Sequence, residues 1–350
     1  MTDSAEIGEG IHHELGDLAL EVLERHYSRR PDLERRYGTR GRELCLQDIR
    51  YHLSYLSEAL SGQSPQLFTD YVEWAAVLLR SLGIPQEDLE ENLGIIHEVL
   101  KERLPHGEEI LCEYLDPAVE SISRPTPLPE SSLREEGTVR PLAEEYLEIL
   151  LKGERDRAMD LIVGRVEEGT SIEEIYLGVF QPCLHEVGRL WQINEITVAQ
   201  EHFFTASTQL IMSRLYPYMF RGPREGPSAL ATTVSGELHE IGVRMVTDLL
   251  EMRGWDTYFL GSNTPVNGLI ESIRSFDIDV LLLSATISYH VGEVRRVIDE
   301  VRYSKGCENT RIMVGGRPFN VDHDLWAKVG ADAYALDGRQ AIQVAGELVR

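Results

Sequence analysis

Hydrophobic positions recur every three to four residues over the first third of the chain, which is the spacing of amphipathic helices. Five stretches follow this pattern, at residues 11–27, 43–60, 68–82, 85–100 and 108–122. The third is the most densely apolar, so we expect it to be the most buried. Because no strand pattern interrupts these stretches, we predict an all-helical N-terminal domain over residues 1–121.

A proline-rich stretch ends this pattern, with Pro125, Pro127 and Pro129 falling within five residues. Such a run cannot continue a helix and favours an extended connection, so we predict a linker over residues 122–137. Four helical segments follow, and Ser171 and Asn194 are the expected N-caps of the last two. Four helices with short connections predict a four-helix bundle over residues 138–222.

Short apolar runs then alternate with helical segments, and the pattern predicts a doubly wound α/β domain over residues 226–350. The strands are expected at residues 230–234, 256–260, 280–284, 312–314 and 331–334. The run from Ile278 to Leu283 is almost continuously apolar, as in a parallel strand covered on both faces.

Ligands of such sheets bind beyond the carboxyl ends of the strands, where small and polar residues collect in this sequence. The loops contain no dinucleotide fingerprint and no phosphate-binding loop. Paired glycines let a ligand approach the backbone, and small hydroxyl side chains leave a groove for a long appendage. The candidate ligand-binding residues in these loops are Glu237, Leu238, His239, Ile241, Gly242, Asn263, Ser284, Thr286, Gly315 and Gly316.

Composition narrows the possible partners. The chain has 350 residues, 42% hydrophobic and 27% charged, and a formal net charge of −25. That charge repels phosphate backbones, so we expect no nucleic-acid partner. No apolar run reaches membrane length and no signal peptide is apparent, so we expect a cytoplasmic protein without membrane association. The four cysteines are scattered without a CxxC pair, which favours reduced thiols and argues against structural zinc.

Three motifs resemble the cobalamin-binding domain of methionine synthases, corrinoid mutases and cobalamin photoreceptors. That family carries D-x-H-x-x-G, S-x-L or S-x-T, and G-G on a flavodoxin-like fold. This sequence reads Glu237-Leu-His239-Glu-Ile-Gly242, Ser284-Ala-Thr286 and Gly315-Gly316. The resemblance implies that His239 is the lower axial cobalt ligand and that the cofactor's displaced tail lies in the groove. Glu237 stands where the family has aspartate.

The helical bundle carries a second resemblance, because nine residues separate Trp191 from the pair Glu201-His202. From the residues alone, a structural histidine is the ordinary interpretation of His202. The spacing resembles the cap of CarH-type light-dependent cobalamin receptors, in which these residues shelter the upper face of adenosylcobalamin. The layout of helical domain, cap and cobalamin domain is similar to that of photocobilins, which bind cobalamin and biliverdin. This likeness implies a globin-like, bilin-binding N-terminal domain.

An aromatic cluster in that domain has two interpretations. Its members share helix faces at spacings of three and four, as in ordinary aromatic core packing. The photocobilin resemblance implies instead that they form a biliverdin pocket. The cluster consists of Tyr51, His52, Tyr55, Tyr71 and Trp74.

The resemblance implies a photoreceptor, not an enzyme. Photolysis of the cobalt–carbon bond of adenosylcobalamin (or methylcobalamin) is expected to change the quaternary structure of a homo-oligomer and to signal to a protein partner whose identity the sequence does not reveal. Two alternatives stay open. One is a corrinoid methyl carrier for a methyltransferase system, and the other is a cobalamin sensor without photochemistry.

Overall fold

The structure is a computed structural model, and it describes residues 3–124, 126–133, 138–219 and 226–350. The chain divides into two compact units. The first comprises Met1–Pro127, Ala285–Ile298 and Arg317–Gly330, and the second comprises Leu128–Ser284, Asp299–Gly316 and Ala331–Arg350. The predicted linker, residues 122–137, lies partly outside the described residues, as does the end of the predicted bundle at residues 220–222.

The N-terminal region is all-helical, as predicted. Its helices are α1 (Ser4–Arg29), α2 (Asp32–Ser61), α3 (Pro65–Ser81), α4 (Gln86–Arg103) and α5 (Glu108–Ile122). Helix α2 begins earlier than the periodicity predicts and bends at Gly38, whose φ of 60° suits glycine. Helix α3 is well buried, with Leu67, Phe68 and Val72 among its inaccessible side chains. It is not the most buried of the five, since seven of its 17 residues are buried against eight of 18 in α4.

The middle of the chain is a helical cap. It contains α6 (Arg140–Leu151), α7 (Arg155–Glu167), α8 (Ile172–Ile175), a π-helical turn (Tyr176–Phe180), α9 (Gln181–Gln192) and α10 (Val198–Met219). The segment from α8 to α9 is the third helix of the predicted bundle. Tyr146, Phe180 and Phe204 are fully buried where these helices meet.

One predicted helix start in the cap is wrong. Asn194 has a φ of 59° and lies outside α10. Thr197 caps the helix instead: its Oγ1 accepts from the Gln200 amide at 3.3 Å, and the Gln200 Oε1 accepts from the Thr197 amide at 3.0 Å. This reciprocal pair satisfies two donors at the start of the helix, as in a capping box.

The C-terminal region contains a parallel five-stranded sheet in the order β2-β1-β3-β4-β5, the flavodoxin-like order. Its strands are β1 (Ser228–Thr233), β2 (Asp256–Phe259), β3 (Val280–Ser284), β4 (Arg311–Gly315) and β5 (Ala333–Ala335). Its helices are α11 (Ile241–Glu251), α12 (Val266–Phe276), α13 (Val291–Tyr303), α14 (Arg317–Val321), α15 (Leu325–Lys328) and α16 (Gly338–Leu348). Strand β5 begins two residues later than predicted.

The cap and the sheet share a core within the second unit. Ile241, Met245 and Leu249 of α11 join the buried cluster of the cap helices. The Tyr176 hydroxyl in the π-helical turn donates to Asp248 of α11 at 2.8 Å. Burial, only partly offset by this bond, raises the pKa of Asp248 to about 6. Helix α11, which follows the first strand, therefore also forms part of the core of the cap.

Two segments that follow strands belong to the first unit, where they contact α2 and α3. The Gly292 amide donates to the Glu58 carboxylate at 2.9 Å, and Arg317 pairs with Asp70 at 2.5 Å. Lys328 donates to the backbone carbonyl of Gln63 at 2.9 Å. The N-terminal helices thus hold residues that the sequence assigns to the C-terminal domain.

Candidate functional site

The carboxyl ends of three strands form one row in the second unit. Thr233 of β1 is in register with Ser284 of β3, and Ser284 is in register with Gly315 of β4. This is the edge of a doubly wound sheet at which ligands bind. The strand register therefore places the carboxyl ends of β1, β3 and β4 side by side.

The loop after β1 presents a histidine on a buried carboxylate. Glu237 is fully buried, whereas the side chain of His239 is 57% exposed. The Glu237 Oε1 lies 2.5 Å from the His239 Nδ1 and accepts from the His239 backbone amide at 2.9 Å. The hydrogen bond with Glu237, stronger than the opposing effect of burial, raises the pKa of His239. The carboxylate fixes Nδ1 as the protonated nitrogen and leaves Nε2 as the atom that can bind a metal.

Neighbouring residues hold this loop in place. The Thr233 hydroxyl at the end of β1 donates to the Glu237 carbonyl at 2.8 Å. The Gly236 amide donates to the Asn263 Oδ1 at 2.7 Å, which links the loop after β1 to the loop after β2. Gly236 has a φ of 81°, a conformation that favours glycine. The role of Thr233 was not predicted, because a strand-end threonine carries no local sign of a contact four residues away.

The other predicted loop residues have mixed environments. Leu238 is largely exposed beside His239, whereas Ile241 is buried and begins α11. Gly242 is exposed in the first turn of that helix. Gly316 has a φ of 108°, so a side chain at this position would strain the backbone. Thr286 lies two residues beyond β3, in a segment of the first unit, so it does not join the row formed in the second.

The cap residues of the predicted site are placed at the end of α9 and the first turn of α10. Trp191 is half-buried and packs against the cap core. Glu201 pairs with the Nδ1 of His202 and accepts from the Thr205 hydroxyl at 2.8 Å. The His202 side chain is 73% exposed in this structure.

The cap and the histidine loop are close to each other within the second unit. The Gln209 amide of α10 donates to the Glu240 carboxylate at 2.8 Å, one residue after His239. The negative charge of Glu201 also contributes, after Glu237, to the raised pKa of His239. The Gln209–Glu240 contact was not predicted, because 31 residues separate the two positions and neither lies in a motif.

The aromatic cluster of the N-terminal region is largely packed on itself. Tyr55 and Tyr71 stack with ring centroids 3.7 Å apart, and the Tyr71 hydroxyl lies 2.8 Å from the His52 Nδ1. Trp74 is half-buried. Tyr51 is exposed and accepts a hydrogen bond from the Gln47 side chain. The structure thus brings three of the five predicted bilin residues into direct contact.

Comparison with known proteins identifies the fold and the ligand class. Two family models, each described as a B12 binding domain, match residues 142–216 and residues 227–345. A dimethylamine corrinoid protein of Methanosarcina mazei is 30% identical over 118 residues, which is 33% of this chain and 69% of the relative. The chain belongs to the B12-binding family. Its cap and sheet are the two parts of a cobalamin-binding module, as the motifs predict.

Two further similar proteins extend the comparison. A dimethylamine corrinoid protein of Methanosarcina acetivorans is 31% identical over 118 residues, which cover 33% of this chain and 54% of the relative. The chain thus spans about half the length of the first curated relatives it matches. The solved monomethylamine corrinoid protein of Methanosarcina barkeri superposes with a TM-score of 0.54 at 20% identity, over 60% of this chain and all of that chain. This last likeness supports the fold alone.

The residues at the strand ends suit a cobalamin. A half-exposed imidazole whose Nδ1 is held by a buried carboxylate is the usual arrangement of a histidine metal ligand. Gly315 and the positive φ of Gly316 leave the backbone uncovered beside Ser284, where a long substituent needs room.

No helix in the described ranges is long and apolar enough to cross a membrane.

Proposed function

We propose that the chain is a corrinoid carrier, in which a cobalamin ligated by His239 passes a methyl group between separate protein partners. The observation that carries the proposal is the contact of 2.5 Å between the buried Glu237 and the exposed His239. When bound, the cobalamin supplies a cobalt atom able to carry a methyl group. The chain itself acts as the carrier and not as the methyltransferase.

Several residues of the chain would bind different parts of this cofactor. His239 binds the cobalt through Nε2, while Glu237 keeps the proton on Nδ1 and makes the imidazole a better donor. Asn263 and Thr233 fix the loop, so the imidazole does not need to be ordered upon binding. Ser284, Gly315 and Gly316 line the groove for the tail. Trp191 and the Glu201–His202 pair, which lie on the cap, would shield the bound cofactor.

The relatives support a carrier because several of them are dimethylamine corrinoid proteins. A corrinoid protein of Desulfitobacterium hafniense matches over 60% of this chain and 99% of its own length at 20% identity. That protein is scarcely longer than the cap and sheet together. A methyltransferase partner would reach the cofactor once the cap moved aside.

A light sensor is the second candidate, and a specific feature favours it. The spacing of Trp191 from Glu201–His202 resembles the cap of light-dependent receptors, and α1–α5 form an additional helical region. In this alternative the cofactor is adenosylcobalamin, and biliverdin binds at the cluster of His52, Tyr55 and Tyr71. A bilin would have to separate the stacked rings of Tyr55 and Tyr71, or bind beside them.

A comparison of oligomeric state in darkness and in green light separates the two candidates. Light cleaves the cobalt–carbon bond of any alkylcobalamin, so the spectrum alone does not distinguish them. For the full chain loaded with adenosylcobalamin, the carrier proposal predicts the same elution volume before and after illumination. A light-driven change in size that His202→Ala abolishes would reject the carrier in favour of the sensor. Loading the chain with biliverdin and recording its absorbance at red wavelengths tests separately whether the helical region binds a bilin.

A further inference from the structure

Helices α4 and α5 bring together three side chains of metal-ligand type, far in sequence from the cobalamin module. His97 lies on α4, and Cys112 and Asp116 lie one turn apart on the same face of α5. One ligand atom from each residue lies within 4.8 Å of the other two. His97 and Cys112 are half-buried, and Asp116 is exposed. None of the three has a part in binding cobalamin.

The distance between the first two ligand atoms suits a metal ion. The His97 Nε2 lies 3.6 Å from the Cys112 Sγ. With bonds of about 2.0–2.1 Å to nitrogen and about 2.3 Å to sulfur, tetrahedral zinc would place these atoms about 3.6 Å apart. The Asp116 carboxylate oxygen lies within 4.8 Å of both other ligand atoms, and Asp116 is exposed. The distance between His97 and Cys112 also suits a thiol–imidazole hydrogen bond, so the two interpretations require a test.

We propose that His97, Cys112 and Asp116 form a binding site for a divalent transition-metal ion of the zinc type. Thiolate, imidazole and carboxylate are all ligands that zinc accepts, and three protein ligands leave a fourth position for water. The ion would join α4 to α5 at the surface of the helical region. The sequence argued against structural zinc because it lacks cysteines paired closely in sequence, whereas the ligand set proposed here spans two helices.

Binding at this site is coupled to one proton. The thiol of Cys112 loses its proton when the sulfur bonds to the metal, and His97 binds as neutral imidazole. Burial, followed by the charges of Asp116 and Glu108, raises the pKa of the Cys112 thiol in the absence of a cation. The Lys101 ammonium pairs with Glu108, and its positive charge partly opposes the rise in the pKa of Cys112. No electron is transferred, so no oxidant or reductant is required.

Cobalt(II) and zinc(II) titrations of the full chain, prepared without corrinoid, test the site. We expect Co²⁺ to produce a sulfur-to-metal charge-transfer band with one ion per chain, which Zn²⁺ then displaces. Cys112→Ser should remove the band. His97→Gln and Asp116→Asn should each weaken Zn²⁺ binding by at least about tenfold, the low end of what loss of even a supporting partner costs.

The second cysteine–histidine pair of the same region provides a matched control. Cys45 lies 3.8 Å from the His26 Nδ1, and no carboxylate completes a ligand cluster there among the described residues. Cys45→Ser should therefore keep the charge-transfer band and the zinc affinity. The proposal is overturned if the wild type binds neither ion at micromolar concentration, or if Cys112→Ser binds as tightly as the wild type. If Cys112→Ser does not fold, as judged by its helical circular dichroism, the His97 and Asp116 variants decide.

Discussion

His239 and His52 are both held by an oxygen atom on a neighbouring side chain, but their surroundings give them opposite properties. Glu237 holds a largely exposed His239 and raises its pKa. Tyr71 contacts a buried His52, and burial lowers the pKa of His52 to about 4. A half-exposed imidazole on a buried carboxylate can bind a metal ion, whereas an imidazole enclosed by aromatic rings stays neutral and contributes to packing.

The largest effect is expected from removing the centre of the aromatic cluster. Tyr71→Ala should lower the free energy of unfolding of the helical region by about 3–5 kcal/mol, because it leaves a cavity beside Tyr55 and an unpaired nitrogen on His52. Chemical denaturation followed by circular dichroism measures the change. Tyr51→Ala, at a half-exposed site, should stay within about 0.5 kcal/mol of the wild type. Equal effects of the two variants would mean that the cluster is not packed core.

The second prediction concerns the carboxylate behind His239. Glu237→Ala should weaken cobalamin binding by about 10–100-fold, because the imidazole loses its orienting partner. Glu237→Asp, the residue of the resembling family, should recover most of the affinity. Equilibrium dialysis against cobalamin gives both values. Wild-type affinity in Glu237→Ala would show that the contact of 2.5 Å is structural only.

The motif at His239 could be predicted because its residues are adjacent in sequence and follow a recognisable strand. The alignment of Thr233, Ser284 and Gly315 in one row, by contrast, depends on the register of the parallel strands. Contacts between distant helices left no such local pattern. Gln209 with Glu240, and His97 with Cys112, are joined only by tertiary packing. The aromatic spacing identified a shared helix face but could not distinguish a filled core from a pocket.

The smallest effect is expected at Glu58, on the same helix as His52. Burial, opposed by the Gly292 amide and assisted by Glu293, raises the pKa of Glu58 to about 7. The native state therefore binds this proton more tightly than the unfolded state does. Its contribution is fully present below pH 4.5 and is lost as the pH rises through about 7. We expect a loss of stability on the order of 1 kcal/mol between these limits, reduced by solvent screening.

Denaturation of the wild type and of Glu58→Gln at several pH values measures the contribution of Glu58 to the free energy of unfolding. The glutamine variant should have a flatter stability profile between pH 5 and pH 8, about the range over which Glu58 titrates. Identical profiles for the two proteins would assign the pH dependence to other groups.

Electron paramagnetic resonance of the cobalt(II) form tests the central claim most directly, when the chain contains ¹⁵N-labelled histidine and the cobalamin is unlabelled. If His239 ligates the cobalt, the triplet splitting from an axial ¹⁴N becomes a doublet in the labelled protein. His239→Ala should then lose the doublet, whereas His52→Ala should keep it. A triplet that persists in the labelled wild type would show that the cofactor's own base is the ligand, and would contradict the role assigned to His239.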